Sequence, residues 1–268
     1  MNQIPNSAGF NLPGGKIGVL VLHGFTGSPL SITPWANYLN TLGYTVSAPC
    51  LPGHGSSWQQ MNKTTWQDWY KAAEQELLEL QKKCDRVFIA GFSMGGSLAL
   101  RLCQIRGSEV EGLILLNPSI HDRRFILKLT PILKYFIPSI KKGATDIAAP
   151  NPPKHSYGRT PLKALDSLRK LWQLAERDLY LIDLPVMVAY SINDHAVDPE
   201  NSMTVIDNIF SVDIREVVFE NSYHNVPLDY DADLLNTESK LFIEDVLSGS
   251  LQRGADFKET DLVDAEFD

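Results

Sequence analysis

Val87–Gly96 reads VFIAGFSMGG, and this stretch decides the fold. Four apolar residues, Val87–Ala90, make a short buried strand. Gly91-Phe92-Ser93-Met94-Gly95 then follows the pattern G-x-S-x-G, and Met94–Ile105 continues at helical spacing. A strand that turns sharply into a helix crowds its own backbone. Glycines at Gly91 and Gly95 remove the side-chain clashes, and the serine between them is pushed out at the carboxyl end of the sheet. The helix behind it offers free N–H groups and a partial positive charge, the setting for a developing oxyanion.

Outward from this turn, strands and helices alternate. Ile17–Leu22 (IGVLVL), Tyr44–Ala48, Leu113–Leu116, Val186–Tyr190 and Ile214–Phe219 read as strands. The continuous apolar run Ile17–Leu22 fits a strand buried on both faces. Ser31–Leu42, Thr64–Lys83 and Ala232–Leu247 read as amphipathic helices, with Trp66, Trp69, Tyr70, Ala73, Leu77 and Leu80 on one stripe of the second. Trp66 and Trp69 are expected to pack onto the sheet. The alternation predicts an α/β fold, a mostly parallel sheet with helices on both faces. The first sixteen residues form a polar lead-in with room for one short strand.

Residues 119–183 hold no strand candidate, and their helical stretches are broken by prolines such as Pro131 and Pro138. They are expected to form a helical cap inserted over the sheet's edge. The domain organisation expected is one unit over 1–248, with core segments 17–118 and 184–248. Residues 249–268, rich in Asp and Glu, read as a solvated, disordered tail.

A serine hydroxyl is a poor nucleophile without a base. In an α/β-hydrolase the partners follow in the order serine, acid, histidine. Of six histidines, His224 lies in NSYHNVPLDYD, after the last strand and before the last helix, where its loop can reach Ser93. The acid belongs after Val186–Tyr190, in SINDHAVDPEN. Asp194 stands closer to the strand end; Asp198, before Pro199, is the reserve and can instead cap the next helix. His54, in the glycine loop Leu51–Gly55, reads as a structural histidine. The second oxyanion donor belongs to the loop His23–Gly27, so the backbone N–H groups of Phe25 and Met94 are the expected pair.

Composition narrows the function classes. The 268 residues carry 32 acidic against 24 basic side chains, a formal charge of −8, which argues against a nucleic-acid partner. No apolar run reaches the ~18–20 residues that span a bilayer. Three cysteines, Cys50, Cys84 and Cys103, lack metal-ligand spacing, so neither a metal nor a disulfide framework is expected. No cofactor is expected either. The first residues do not read as a signal peptide, and a cytoplasmic location is expected. Lys128, Lys134, Lys141 and Lys142 flank the apolar cap stretch. They are expected to keep it soluble, with weak contact to a membrane surface as the alternative.

HGFTGSP (His23–Pro29), LPGHG (Leu51–Gly55), GFSMGG (Gly91–Gly96), SINDHAVDP (Ser191–Pro199) and NSYHNVPLDYD (Asn221–Asp231) together resemble bacterial monoacylglycerol lipases and similar thermophilic carboxylesterases. The likeness runs from about Ile17 to Leu247, and Thr160–Leu171 resembles that family's return from cap to core. It implies an α/β-hydrolase with a lid-like cap, a serine esterase acting on small, uncharged acyl esters. By position it implies Ser93 as nucleophile, Asp194 as acid, His224 as base, and Phe25 and Met94 as oxyanion donors. A dehalogenase or epoxide hydrolase would need an aspartate at position 93. A peptidase, a thioesterase or a non-catalytic binding protein of the same fold remain rivals.

Overall fold

The computed structural model describes residues 7–124, 127, 129–143, 145–153 and 156–253. The expectations placed on Lys128 and on the tail from residue 254 lie outside them.

Seven strands form one sheet: β1 (Phe10–Leu12), β2 (Ile17–Leu22), β3 (Thr45–Ala48), β4 (Arg86–Phe92), β5 (Gly112–Leu116), β8 (Val186–Ser191) and β9 (Ile214–Phe219). Their order is β1-β3-β2-β4-β5-β8-β9. Every neighbouring pair is parallel except β1 with β3. Alternate side chains of one strand serve opposite cores, because the pleat turns successive residues to opposite faces. Leu20 and Leu22 point to one, Val19 and Val21 to the other, and all four are buried.

The first core takes α3 (Trp66–Gln81) and α4 (Met94–Arg106) through Trp69, Ala73, Leu77, Leu98 and Leu102. The second takes α1 (Thr33–Thr41) and α8 (Ala232–Ser248) through Trp35, Leu39, Leu235 and Phe242. The start of α3 is closed by Asp68, whose carboxylate accepts the Thr65 N–H at 2.8 Å. Of the two tryptophans expected against the sheet, Trp69 is fully buried and Trp66 only half so.

The segment between β5 and β8 departs from expectation in two ways. It contains a small antiparallel pair, β6 (Ser139–Lys141) with β7 (Arg159–Pro161), where no strand was expected. Each strand is three residues long, too short for an alternating pattern to register in sequence. Arg159 locks the pair by donating to the Ser139 hydroxyl at 2.7 Å and to its carbonyl at 2.9 Å. Nor does the segment lie simply over the sheet's edge. Its long helix α6 (Leu162–Arg177) joins the layer of α3 and α4 through Leu168 and Leu171. The stretch before it reaches the loops at the carboxyl ends of β2, β8 and β9, bonding to Thr26, His195 and His224.

The cap lysines also depart from expectation. Lys134 turns inward to the buried Asp166 at 2.5 Å. Lys142 donates to the hydroxyls of Thr26 and Ser156, and burial pulls its ammonium down to about 8. Among the described lysines of the set, only Lys141 faces solvent. Residue 253, which sequence placed in the solvated tail, is held: Arg253 donates to the carbonyls of Gly107 and Val110 and pairs with Asp183. Among the described residues no helix is long and apolar enough to cross a membrane.

Candidate active site

The turn at Ser93 has the strain that the glycine pattern implied. Ser93 sits at φ 57°, ψ −119°, a conformation L side chains avoid, and only four described residues other than glycine have positive φ. The glycines flanking it cannot be replaced without backbone movement. A Cβ on Gly91 would run into the Gly95 carbonyl, and one on Gly95 into the Leu22 carbonyl. The turn is braced by neighbouring strands: the Ser93 N–H donates to Leu116 O at 3.0 Å, and Ser93 O accepts from Ser119 N at 3.2 Å.

Three loops from separate strands converge on the serine. His224 Nε2 lies 3.0 Å from Ser93 Oγ, and His224 Nδ1 lies 2.6 Å from Asp194 Oδ2. The other Asp194 oxygen accepts the N–H groups of Ala196 and Val197, both at 2.8 Å, which sets the carboxylate's direction. The Asp194 side chain is only 2% exposed and that of His224 14%, so little water competes for these bonds. The His224 ring rests on Phe92, centroids 4.9 Å apart. Asp198 stands apart from this row. It accepts the Glu200 N–H at 3.0 Å at the head of α7 (Glu200–Asn208), the helix-end role that sequence allowed it.

The loop after β2 closes on the same point. Gly24 packs its backbone against the Ser93 side chain, with 3.2 Å between Ser93 Cβ and the position a Cβ would take. Phe25 follows it. Met94 is the first residue of α4, whose leading N–H groups have no intrahelical acceptor. Both amides expected as oxyanion donors therefore belong to backbone that borders Ser93.

Further residues support this row. Asn117, just past β5, donates to His224 O at 2.6 Å and accepts Ser191 N–H at 2.8 Å, linking the His224 loop to β8. Only the Asn-Pro stop after a strand marked it. His23 ties its own loop, His23–Gly27, to the Leu51–Gly55 loop: its Nε2 accepts Leu51 N–H at 3.1 Å and its Nδ1 bonds Gly24 O at 3.0 Å. His54 stacks edge-on with His23 and Trp69 and bonds Pro52 O through Nδ1, consistent with a structural part. In the His224 loop, Asp229 accepts Tyr223 N–H and Asp231 accepts Asn221 N–H, both at 2.9 Å, so the acidic DYD run braces the loop.

Burial holds His23 down at about 4, and burial with the neighbouring His23 holds His54 well below the usual imidazole value. Both are neutral in the native protein near pH 7. An imidazole with a lowered folded pKa takes up its proton more readily once unfolded. Its contribution to stability is full above about 6.5 and is lost as pH falls toward 4. His23 alone then contributes about 2 kcal/mol of destabilisation between pH 7 and pH 5. The expected result is a denaturation free energy that falls over this window, with a shallower fall in His23→Gln; equal slopes would contradict it.

Burial raises the thiols of Cys50 to about 11 and Cys103 to about 12, so neither supplies a thiolate nucleophile at neutral pH. Among the described residues no group of three or more His, Cys, Asp or Glu side chains is placed to hold a metal ion.

The sheet order and the strained serine turn between strand and helix define an α/β-hydrolase. Residues 16–231 match the family model described as serine aminopeptidase, S33, and the chain belongs to that family. It is 32% identical over 235 residues to a thermostable monoacylglycerol lipase of Bacillus sp. (strain H-257), spanning 87% of this chain and 92% of that one. It is 25% identical over 236 residues to a carboxylesterase of Bacillus subtilis (strain 168), spanning 88% and 95%. Among solved structures it is similar to one of LipS and LipT, two metagenome-derived lipolytic enzymes, with TM-score 0.88 and 30% identity over 91% of this chain and 99% of the other.

Proposed function

We propose that the chain is a serine carboxylic-ester hydrolase that releases a fatty acid and glycerol from monoacylglycerols through an acyl-enzyme. The row Asp194–His224–Ser93, at 2.6 and 3.0 Å, carries the reading. In the mechanism, Ser93 Oγ attacks the ester carbonyl as His224 Nε2 takes its proton. The carbonyl oxygen becomes an oxyanion held by the N–H groups of Phe25 and Met94. Asp194 accepts the His224 Nδ1–H, fixes its tautomer and offsets the imidazolium charge. His224 then protonates the departing alkoxide, and the ester C–O bond breaks. Water then attacks the acyl carbon as its proton passes to the same histidine, and the C–Oγ bond breaks as His224 returns that proton to Ser93 Oγ and the acid departs.

An ester rather than a peptide substrate is supported by the curated relatives and by the surface of the cap. In the cap's short helix α5 (Thr130–Leu133) and the turn after it, Ile132, Tyr135 and Phe136 are 64, 73 and 78% exposed. Exposed apolar clusters of this kind suit contact with lipid aggregates, so weak membrane-surface contact through the cap is part of the proposal. The cytoplasmic location belongs to it as well. The other reading, a broad-specificity carboxylesterase, is favoured by the Bacillus subtilis relative.

Hydrolysis of monoacylglycerols from about C4 to C18, beside matched simple esters, di- and triacylglycerols and an aminoacyl amide, separates these readings. The expected result is a higher kcat/KM on monoacylglycerols than on the rest. Cleavage of short simple esters with monoacylglycerols untouched would replace it with the carboxylesterase reading.

A further inference from the structure

We propose that Asp146, carried by the segment between β6 and β7, is a positioning residue for both the acid and the base of the active site. The inference rests on the roles assigned above to Asp194 and His224.

Asp146 Oδ2 accepts the backbone N–H of His195 at 2.9 Å and that of His224 at 3.3 Å. Its Oδ1 lies 3.0 Å from His195 Nδ1, and its own carbonyl accepts the Asn225 N–H at 3.1 Å. One carboxylate thus holds the peptide that follows the acid and the backbone of the base itself. These two loops follow different strands and meet only at this end of the sheet. The contacts cross 49 and 78 residues of sequence.

The segment around Asp146 is tied down independently. Ala148 and Ala149 donate to the Asp229 carboxylate at 2.7 and 2.9 Å, and Asp229 also braces the base loop through Tyr223 N–H. Asp146 is therefore a fixed point rather than the end of a loose loop. Its side chain is 18% exposed, whereas that of His195 is 64% exposed. The two backbone N–H bonds, not the solvent-facing imidazole, supply most of the constraint.

A carboxylate that accepts hydrogen bonds can be copied by an amide. In Asp146→Asn the amide oxygen takes over the two backbone donors, and the NH2 faces His195 Nδ1, which accepts when the ring proton moves to Nε2. In Asp146→Ala all of these bonds are lost and the His224 loop is freed from the acid loop. A displacement near 1 Å at reacting groups costs on the order of a hundredfold in rate.

The test measures kcat and KM on a water-soluble ester, with active sites counted by end-point titration with an alkyl phosphonate, for wild type, Asp146→Ala, Asp146→Asn and His195→Ala. Thermal midpoints and the low-field proton resonance of the His224 Nδ1–H are recorded beside them. The expected result is a kcat per titrated site down about 10- to 100-fold in Asp146→Ala, with KM within about threefold of wild type. The low-field resonance broadens or vanishes in the same variant. Asp146→Asn and His195→Ala stay within about threefold of wild type. Should Asp146→Ala be recovered unfolded, Asp146→Ser, which keeps one acceptor oxygen, takes its place with a smaller loss in the same direction.

Three outcomes overturn the inference: an unchanged kcat per site with only a lower thermal midpoint, an Asn variant as impaired as Ala, or a loss confined to KM. A wild-type Ser93 that takes up no alkyl phosphonate would instead remove the Ser93 reading on which it rests.

Discussion

Ser93→Ala is expected to fold normally and to lose about four to six orders of magnitude in kcat. The substitution removes one oxygen. Alanine and serine share the same Cβ, so the strain at φ 57° is unchanged, and the backbone bonds to Leu116 and Ser119 remain. The lost hydroxyl has His224 Nε2 as its partner, and His224 keeps its bond to Asp194. Stability should therefore shift little while nucleophilic attack disappears. Circular dichroism and a thermal midpoint check the fold, and initial rates on a chromogenic short-chain ester check the chemistry. Turnover above a few per cent of wild type would contradict the assignment.

Asp194→Asn carries the second large effect. The amide keeps the shape of the carboxylate, and its oxygen can still accept from Ala196 or Val197. Its NH2 then faces His224 Nδ1 and favours the tautomer with the proton on Nε2, pointed at Ser93. That imidazole cannot take the serine proton, and the negative charge beside the imidazolium is gone as well. The expected loss in kcat is about 10³–10⁴. Asp198→Asn is the matched control. Asp198 bonds the Glu200 N–H at the start of a helix, so its amide should leave kcat within about threefold. A larger loss at Asp198 than at Asp194 would assign the acid wrongly.

What sequence made legible follows from the range of the interactions involved. Strands such as Ile17–Leu22 are apolar on both faces because helices cover both, and that pattern is local. The serine turn is local too, since Gly91, Ser93 and Gly95 must crowd one bend. His224 and Asp194 were legible as candidates because each stands on a loop just past a readable strand, at the end of the sheet where Ser93 emerges.

Asn117 and Asp146 carried no comparable signal. Each is a single polar residue whose partners lie far away in sequence, 107 residues for Asn117 and His224. No periodicity marks such a contact. The pair β6 and β7 was missed for a related reason, since three residues of strand give one alternation at most. Lys142 and Lys134 misled because a lysine beside an apolar run looks solvated. Its inward turn depends on Thr26, Ser156 and Asp166, which only the folded chain brings to it. The short apolar turn with Tyr135 and Phe136 read correctly as apolar, but its exposure was not readable from spacing.

The central claim is that Ser93, activated by His224, is the covalent nucleophile. Intact mass and peptide mapping after brief exposure to an alkyl phosphonate test it most directly. One adduct per chain on Ser93, absent in Ser93→Ala and formed far more slowly in Asp194→Asn, is the result expected. No adduct on the wild-type chain, or one on another residue with Ser93 unmodified, would contradict it.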